Sequence, residues 1–484
     1  MNMLGLLAIV GGGLAVVLAL ILALRPVTAG PLFLAVGICI QAVAIAVVVV
    51  PVVGPRGGYA ALWKEAVVGV LLFALVVGQN RSIARRLPTS VRIVLVLTIV
   101  QLVLYMAFPV ITSSSGVPPA GTTARLAGLR QWLVPCELLL LGHTLHNAGL
   151  SPGRLLAFVK RFGTVVAVVS IAGWVFIPLD FWARVNLVTT TTLSGDPAAA
   201  TGQLEGLQSY FLGQAVPRAV APFGSPLVLA FSLLLPMWLV AATRHRGPAN
   251  FPLLLIGTAL ILTQTRSILF GIVAVWILSK LRRRMMSARL IAGLLTLTFL
   301  AAGPLSVAID NTLTLKDPSS NVHYAAIRDG YLQLLTNPLG VGLGQGGQIG
   351  RAFGYDRAGG ESLYFVAGNE RGWLGLALVV GLFLVCFTAI GLHHIPVEDV
   401  NVGSDESEAE ALCHGLRRAV VVLAIASVTT EHAVAFTSTW LLWVALGFGV
   451  TQVGRPVLRA RVHEGARGQA PVVVRPSYKV GPRS

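Results

Sequence analysis

Apolar residues along this chain come in long unbroken runs, not in the alternation of a strand or the single stripe of a water-soluble helix. Runs of spanning length fall at about 3–24, 30–52, 60–80, 91–111, 131–149, 162–182, 218–241, 288–308, 364–392, 417–434 and 437–453. About 20 helical apolar residues match the hydrocarbon thickness of a bilayer, so each run predicts a membrane-crossing helix. The stretch 250–281 is interrupted once, by LTQTRS at 262–267, and predicts two short spans meeting in a tight hairpin. The pattern as a whole predicts an all-α membrane protein, a polytopic bundle of about thirteen transmembrane helices (twelve to fourteen) formed as one domain over 1–454. The first run lacks a basic leader and is long enough to span, so it is expected to stay as the first helix and not to be cleaved.

The polar segments between the runs fix the orientation. Basic residues cluster at Arg81, Arg85, Arg86 and Arg92, at Arg154, Lys160 and Arg161, at Arg244 and Arg246, at Lys280, Arg282, Arg283, Arg284 and Arg289, and at Arg417 and Arg418. With thirteen spans and the amino terminus outside, every cluster lands in the cytoplasm, as the positive-inside rule requires. Composition agrees with a bilayer as solvent: 55% of residues are hydrophobic and 11% charged, and the mean hydropathy is +0.80. On this topology the formal net charge of +17 resides on the cytoplasmic face, where anionic lipid accounts for it, and no nucleic-acid partner is expected. The segment 393–416 reads as an acidic cytoplasmic loop, with PVEDVNVGSDESEAEA at 396–411, and 455–484 as a basic, disordered cytoplasmic tail. The four cysteines, Cys39, Cys136, Cys386 and Cys413, lack metal-site spacing and are expected to be small core residues, so neither a metal site nor a cofactor is expected.

Chemistry concentrates on the outer side. The longest external segment, 309–363, exceeds any simple connector. Its part 320–337 has helical spacing, with Ser320 or Asn321 as a cap and Pro338 after its end, and groups His323, Tyr324, Arg328 and Tyr331 three or four residues apart. The following PLGVGLGQGGQIG reads either as a flexible connector or as a backbone cradle for phosphate; it lacks the Lys-Ser/Thr ending of a P-loop. Arg218 opens one span and Arg266 sits in the 262–267 break, so both belong to the outer interface, together with the loop bearing Arg328. An arginine at a helix end commonly snorkels to headgroups, but several on one face suit a phosphate bidentately. Glu370 and Arg371 enter the following span side by side, so each needs a partner from another element. Glu361, in polar surroundings, is placed to act as a general base.

These residues resemble the O-antigen ligase and O-antigen polymerase superfamily of bacterial membrane glycosyltransferases. Arg218 precedes PFGSP at 222–226; Arg266 lies in TQTRS; Arg328 precedes PLGVGLG; and Glu361-Ser362 precedes ERGWLG at 370–375. The likeness spans roughly 215–392, and earlier residues match only as hydrophobic helices. It implies a GT-C-like membrane enzyme of the bacterial plasma membrane, working on the external face without a metal or cofactor. The donor would be an oligosaccharide on polyprenyl pyrophosphate, and the acceptor a glycan or lipid. Arg218, Arg266 and Arg328 would hold the pyrophosphate; Glu361 or His323 would serve as base; Glu370, Arg371, Tyr324 and Tyr331 would support them. Many ligases of the family carry a histidine where this chain has Glu361, which is why His323 stands beside it. Two other readings remain: a peptidoglycan-type glycosyltransferase relying on Asp310, Asp317 or Asp329, and a transporter or flippase, for which Glu137, His143 and His146 form the densest polar set within a span.

Overall fold

The computed structural model describes residues 24–46, 62–78, 86–109, 118–185, 207–211, 214–243, 251–281, 318–355, 362–391 and 404–452. All but the last residue of the run 3–24, the run 288–308, the tail 455–484, Asp310, Asp317 and Glu361 lie outside them, and of His323 and Tyr324 only the helical backbone is described. Among the described residues the fold is all-α apart from one small hairpin. In chain order the helices are α1 (Ala29–Ala44), α2 (Trp63–Gly78), α3 (Thr89–Ala107), α4 (Thr122–Asn147), α5 (Pro152–Phe176), α6 (Pro226–Ala242), α7 (Phe251–Thr263), α8 (Arg266–Leu281), α9 (Pro318–Thr336), α10 (Gly347–Ala352), α11 (Leu363–Gly391), α12 (Ser404–Ala426) and α13 (Phe436–Gln452). Strands β1 (Gln208–Phe211) and β2 (Gln214–Pro217) pair antiparallel between α5 and α6.

Among the described residues three helices, α3, α5 and α11, are long and apolar enough to cross a membrane, and α1, α6, α7, most of α8 and most of α13 are shorter apolar helices. Helix α3 shows the logic. Its buried stripe is Val91, Leu95, Thr98 and Leu102, spaced by three and four residues. The opposite face exposes Ile93, Val96, Val100 and Val103. Water would not tolerate that face, and lipid would, so the exposed apolar band marks the membrane belt. Serine-proline pairs start two of the helices: Ser151 accepts from the Arg154 amide (3.3 Å) ahead of Pro152, and Ser225 accepts from the Val228 amide (3.5 Å) ahead of Pro226. In both, the fixed φ of proline suits the first helical position.

Helix α13 lies at the centre, and its crossing with α4 is the most extensive helix contact. The crossing is close because glycine faces backbone from both sides. A β-carbon on Gly142 would fall on the Val444 carbonyl, and one on Gly447 on the Leu139 carbonyl. Without a hydrophobic driving force between helices in lipid, such close backbone packing is a main source of cohesion. We expect Gly447→Leu to cost about 3 kcal/mol or more and to lower the detergent-solubilised melting temperature. Gly257→Ala, where nothing lies near the added carbon, should leave that temperature unchanged.

The 262–267 break is a hairpin between α7 and α8, turned by Gln264 at φ 51° and Thr265. Two segments differ from the sequence expectation. Half of the acidic stretch 393–416 is helical, since α12 begins at Ser404, and α4 begins at Thr122, inside the gap 112–130 between the apolar runs 91–111 and 131–149. A helix does not stop where its residues turn polar; acidic residues suit the partial positive charge of a helix amino terminus.

Candidate active site at one end of the bundle

The buried charges Glu370, Arg371 and Glu431 gather around α4 and the glycine-rich segment, and the break in α11 organises the first two. Gly372 has φ 69° and ψ −171°, which interrupts the helical ladder and frees the carbonyls before it. The glycine-rich segment fills those vacancies. The Val341 amide donates to the Asn369 carbonyl (2.6 Å), the Gly342 amide to the Glu370 carbonyl (3.0 Å), and the Trp373 amide to the Pro338 carbonyl (3.0 Å). Gly340, at φ 82°, lies so close to this break that a β-carbon would strike the Glu370 carbonyl and the Gly372 nitrogen. Gln101 and Tyr105 of α3 complete the lacing: the Gln101 amide donates to the Arg371 carbonyl (2.9 Å), and the Tyr105 hydroxyl lies 2.9 Å from the Leu339 carbonyl and 3.2 Å from that of Arg371.

Glu370 and Arg371 are both buried, and both find their partners on other elements. The Glu370 carboxylate accepts from the Trp132 indole N–H (2.7 Å) and the Gly346 amide (2.8 Å). The Arg371 guanidinium donates to Gln101 Oε1 from Nε (3.1 Å) and Nη2 (2.7 Å) and lies over the Trp132 ring at 4.9 Å. Trp132 therefore serves both charges, its edge toward the carboxylate and its face toward the cation. A cavity of about 20 Å³, room for one water, adjoins Arg371, Trp132, Thr98 and Cys136.

A second carboxylate, Glu431, grips the same glycine-rich segment further on. It accepts from the Gln348 amide (2.5 Å) and from Gln131 Nε2 (3.4 Å), with Arg351 Nη2 at 3.8 Å. The segment is thus neither a flexible connector nor an open phosphate cradle: its residues 340–347 are buried, and the Val341, Gly342, Gly346 and Gln348 amides are committed to acceptors within the protein. Three consecutive residues of α4 join the parts. Successive helical positions point about 100° apart, so Arg130 reaches Glu65 on α2 through Nε (2.7 Å) and Nη2, Gln131 reaches Glu431, and Trp132 reaches Glu370. Lys64 stands 3.9 Å from Glu65 and lies over the Phe436 ring at 5.6 Å.

The arginines form a separate pair. Arg218 precedes α6, and its Nε donates to the Thr263 carbonyl (2.7 Å) while Nη2 donates to Thr265 Oγ1 (3.2 Å), both in the α7–α8 turn. Its backbone is fixed as well, with its own amide donating to Leu207 (2.9 Å) beside the β-hairpin. Partial burial, and then the neighbouring charge of Arg266, push the Arg218 guanidinium down to about 10, still protonated at neutral pH. Arg266, the first residue of α8, is exposed. The structure therefore brings Arg218 and Arg266 together from separate segments. It sets Arg328 on another element, the exposed side of α9, where the guanidinium pairs with Asp329 at 3.1 Å; Tyr331 lies on the same helix, half-buried.

Trp132, Gln101, Glu431 and the Glu65–Arg130 pair escape a reading by motif. The signal for them is a lone polar residue inside an apolar run, such as Gln101 in TIVQLVLYM. His143 and His146 belong to helix packing: His143 Nδ1 lies 2.8 Å from Thr451 Oγ1, and His146 stacks edge-on against Phe448 at 4.7 Å. Glu137 lies within electrostatic reach of Glu65 and Arg130. Among the described residues, no three His, Cys, Asp or Glu side chains gather as a metal site requires. No family model matches this chain, and no curated protein does either.

Proposed function

We propose that the protein is a bacterial plasma-membrane glycosyltransferase of the O-antigen ligase or polymerase type. In this reading about thirteen spans carry the chain across the membrane, with the amino terminus and active site outside and the carboxyl terminus in the cytoplasm. It moves an oligosaccharide from a polyprenyl-pyrophosphate donor to a glycan or lipid acceptor. The observation that carries the reading is that Arg218 is anchored to Thr263 and Thr265, in the turn from which Arg266 opens α8. Each guanidinium favours a neighbouring anion. The first-turn amides of α8 add partial positive charge to the same place. A pyrophosphate at the membrane surface has the charge and the oxygen spacing that paired guanidiniums engage.

The chemistry follows from that placement. The acceptor hydroxyl attacks the anomeric carbon, whose bond to the pyrophosphate oxygen breaks, and the configuration inverts. The hydroxyl proton passes to Glu361 or His323, and the departing pyrophosphate takes the electron pair of the broken bond. Arg218 and Arg266 stabilise the charge that builds on it, a contribution on the order of a few kcal/mol per donor. Glu370, Arg371 and Glu431 act one step back, holding the glycine-rich segment that leads to Glu361.

The test is the content of lipid-linked glycans in cells lacking the protein. Single repeat units collecting on the outer leaflet identify a polymerase, and long chains left on the carrier identify a ligase. Carrier glycans trapped on the cytoplasmic side, or an unchanged pattern, would overturn the proposal, and the first of these would indicate a flippase.

A further inference from the structure

Helix α9 presents an apolar stripe where a helix standing in water would present a polar one. Arg328, Leu332, Leu335 and Leu339 are spaced by four, three and four residues, one face of a helix and its terminal turn. The three leucines are about half exposed, at 53%, 52% and 48%. The opposite face is the one that packs inward: Gly330 and Leu334 are buried, and Leu334 lies against Gly368 of α11. The exposed stripe is therefore not the packing face turned slightly outward.

The stripe runs into the membrane belt. Its end, Leu339, is tied to α3 through the Tyr105 hydroxyl and adjoins the break in α11 through the Trp373 amide on Pro338. At that junction Phe108, Trp373 and Leu374 are also exposed, continuing the lipid-facing side of α3. Tryptophan and tyrosine at such a level are the usual markers of a membrane–water interface. Arg328 occupies the far end of the stripe, where a guanidinium on a long stem reaches headgroup phosphate while the leucines below it lie among acyl chains.

We propose that α9 is an interfacial helix, lying in the leaflet at this end of the bundle with Leu332, Leu335 and Leu339 in phospholipid acyl chains and Arg328 at the headgroups. The inference rests on the membrane belt and not on glycosyl transfer. It gives Arg328 a lipid partner in place of the donor pyrophosphate, and it seats the long external segment on the bilayer surface.

The test uses the full-length protein in nanodiscs, with Cys39→Ala to remove the half-buried thiol. Bimane is attached in turn to Leu332→Cys, Leu335→Cys and, on the polar flank, Asp329→Cys. Labels at 332 and 335 are expected to lose most of their fluorescence in phospholipid with brominated acyl chains and to resist aqueous iodide. The label at 329 is expected to do the reverse. Quenching of all three by iodide and none by brominated lipid would overturn the proposal, because α9 would then stand in water. Protection of 332 and 335 from both quenchers would overturn it too, because protein would then cover the stripe. The two leucine positions are independent, so the failure of either variant to fold leaves the other to decide.

Discussion

Glu370→Ala is expected to destabilise the folded protein by about 3–5 kcal/mol, the range for breaking a buried, fully engaged charge. The carboxylate is the acceptor for the Trp132 indole N–H and the Gly346 amide, both in the interior. Each donor left without an acceptor costs about 1–3 kcal/mol. Removal also leaves Arg371 and the Trp132 ring without the neighbouring negative charge, in a buried place with room for no more than one water beside them. Glu370→Gln keeps one oxygen of similar position and should cost clearly less, because one of the two donors can still be satisfied. The measurement is thermal unfolding in detergent, scored together with protease cleavage in the segment 338–355. Early melting and cleavage should follow the order alanine, glutamine, wild type. Equal melting of all three proteins would mean that the carboxylate does not secure the segment. Trp132→Phe supplies a second reading: it retains the ring under Arg371 and removes only the donor, so it should fall between wild type and Glu370→Ala.

The order of these effects also shows which parts of the molecule a one-dimensional pattern can carry. Apolar runs mark where a helix contacts lipid, and 60–80 and 91–111 became Trp63–Gly78 and Thr89–Ala107 with small changes at the ends. The break LTQTRS became a turn because a helix interrupted by polar residues at its apolar midpoint gains most by reversing at a surface. Polarity, however, marks the edge of the bilayer and not the end of a helix. For that reason Thr122 and Ser404 begin their helices inside segments that read as loops. The glycine-rich segment was ambiguous for a different reason. Its own residues permit a mobile loop, a cradle or a packed turn; the residues that decide, Trp132 and Glu431, are distant in sequence and carry no motif. Glu370 and Arg371 showed that partners had to exist elsewhere, since neighbours on one helix point apart, but not that the partners would be an indole, a backbone amide and a glutamine. Arg218 and Arg266 could be assigned to one side from topology alone. Their pairing depends on the Thr263–Thr265 turn, which is a fact of packing.

On the proposed function, replacing either member of that pair is expected to have the largest effect on activity. Arg218→Ala and Arg266→Ala should each lower the rate of transfer by about 10²–10³-fold, the usual loss when one stabilising donor is taken from a developing anion. The melting temperature should change little for Arg266, which is exposed, and modestly for Arg218, which leaves the Thr263 carbonyl and Thr265 hydroxyl with one partner fewer. Both should also weaken binding of the isolated polyprenyl pyrophosphate. Arg218→Lys separates charge from shape. Burial and the neighbouring Arg266 already push the arginine down to about 10, where it stays charged in any physiological buffer. A lysine starts from a lower value, and the same burial and repulsion would bring it toward neutrality. The sign is fixed: the protonated form is the one that binds an anion, so activity of Arg218→Lys should be retained on the acid side and lost as pH rises, over a range in which wild type remains flat. A lysine variant that tracks the wild-type pH profile would mean that the charge at position 218 does not face the reacting pyrophosphate. Full activity in Arg266→Ala, with donor binding intact, would remove the pair from the mechanism altogether.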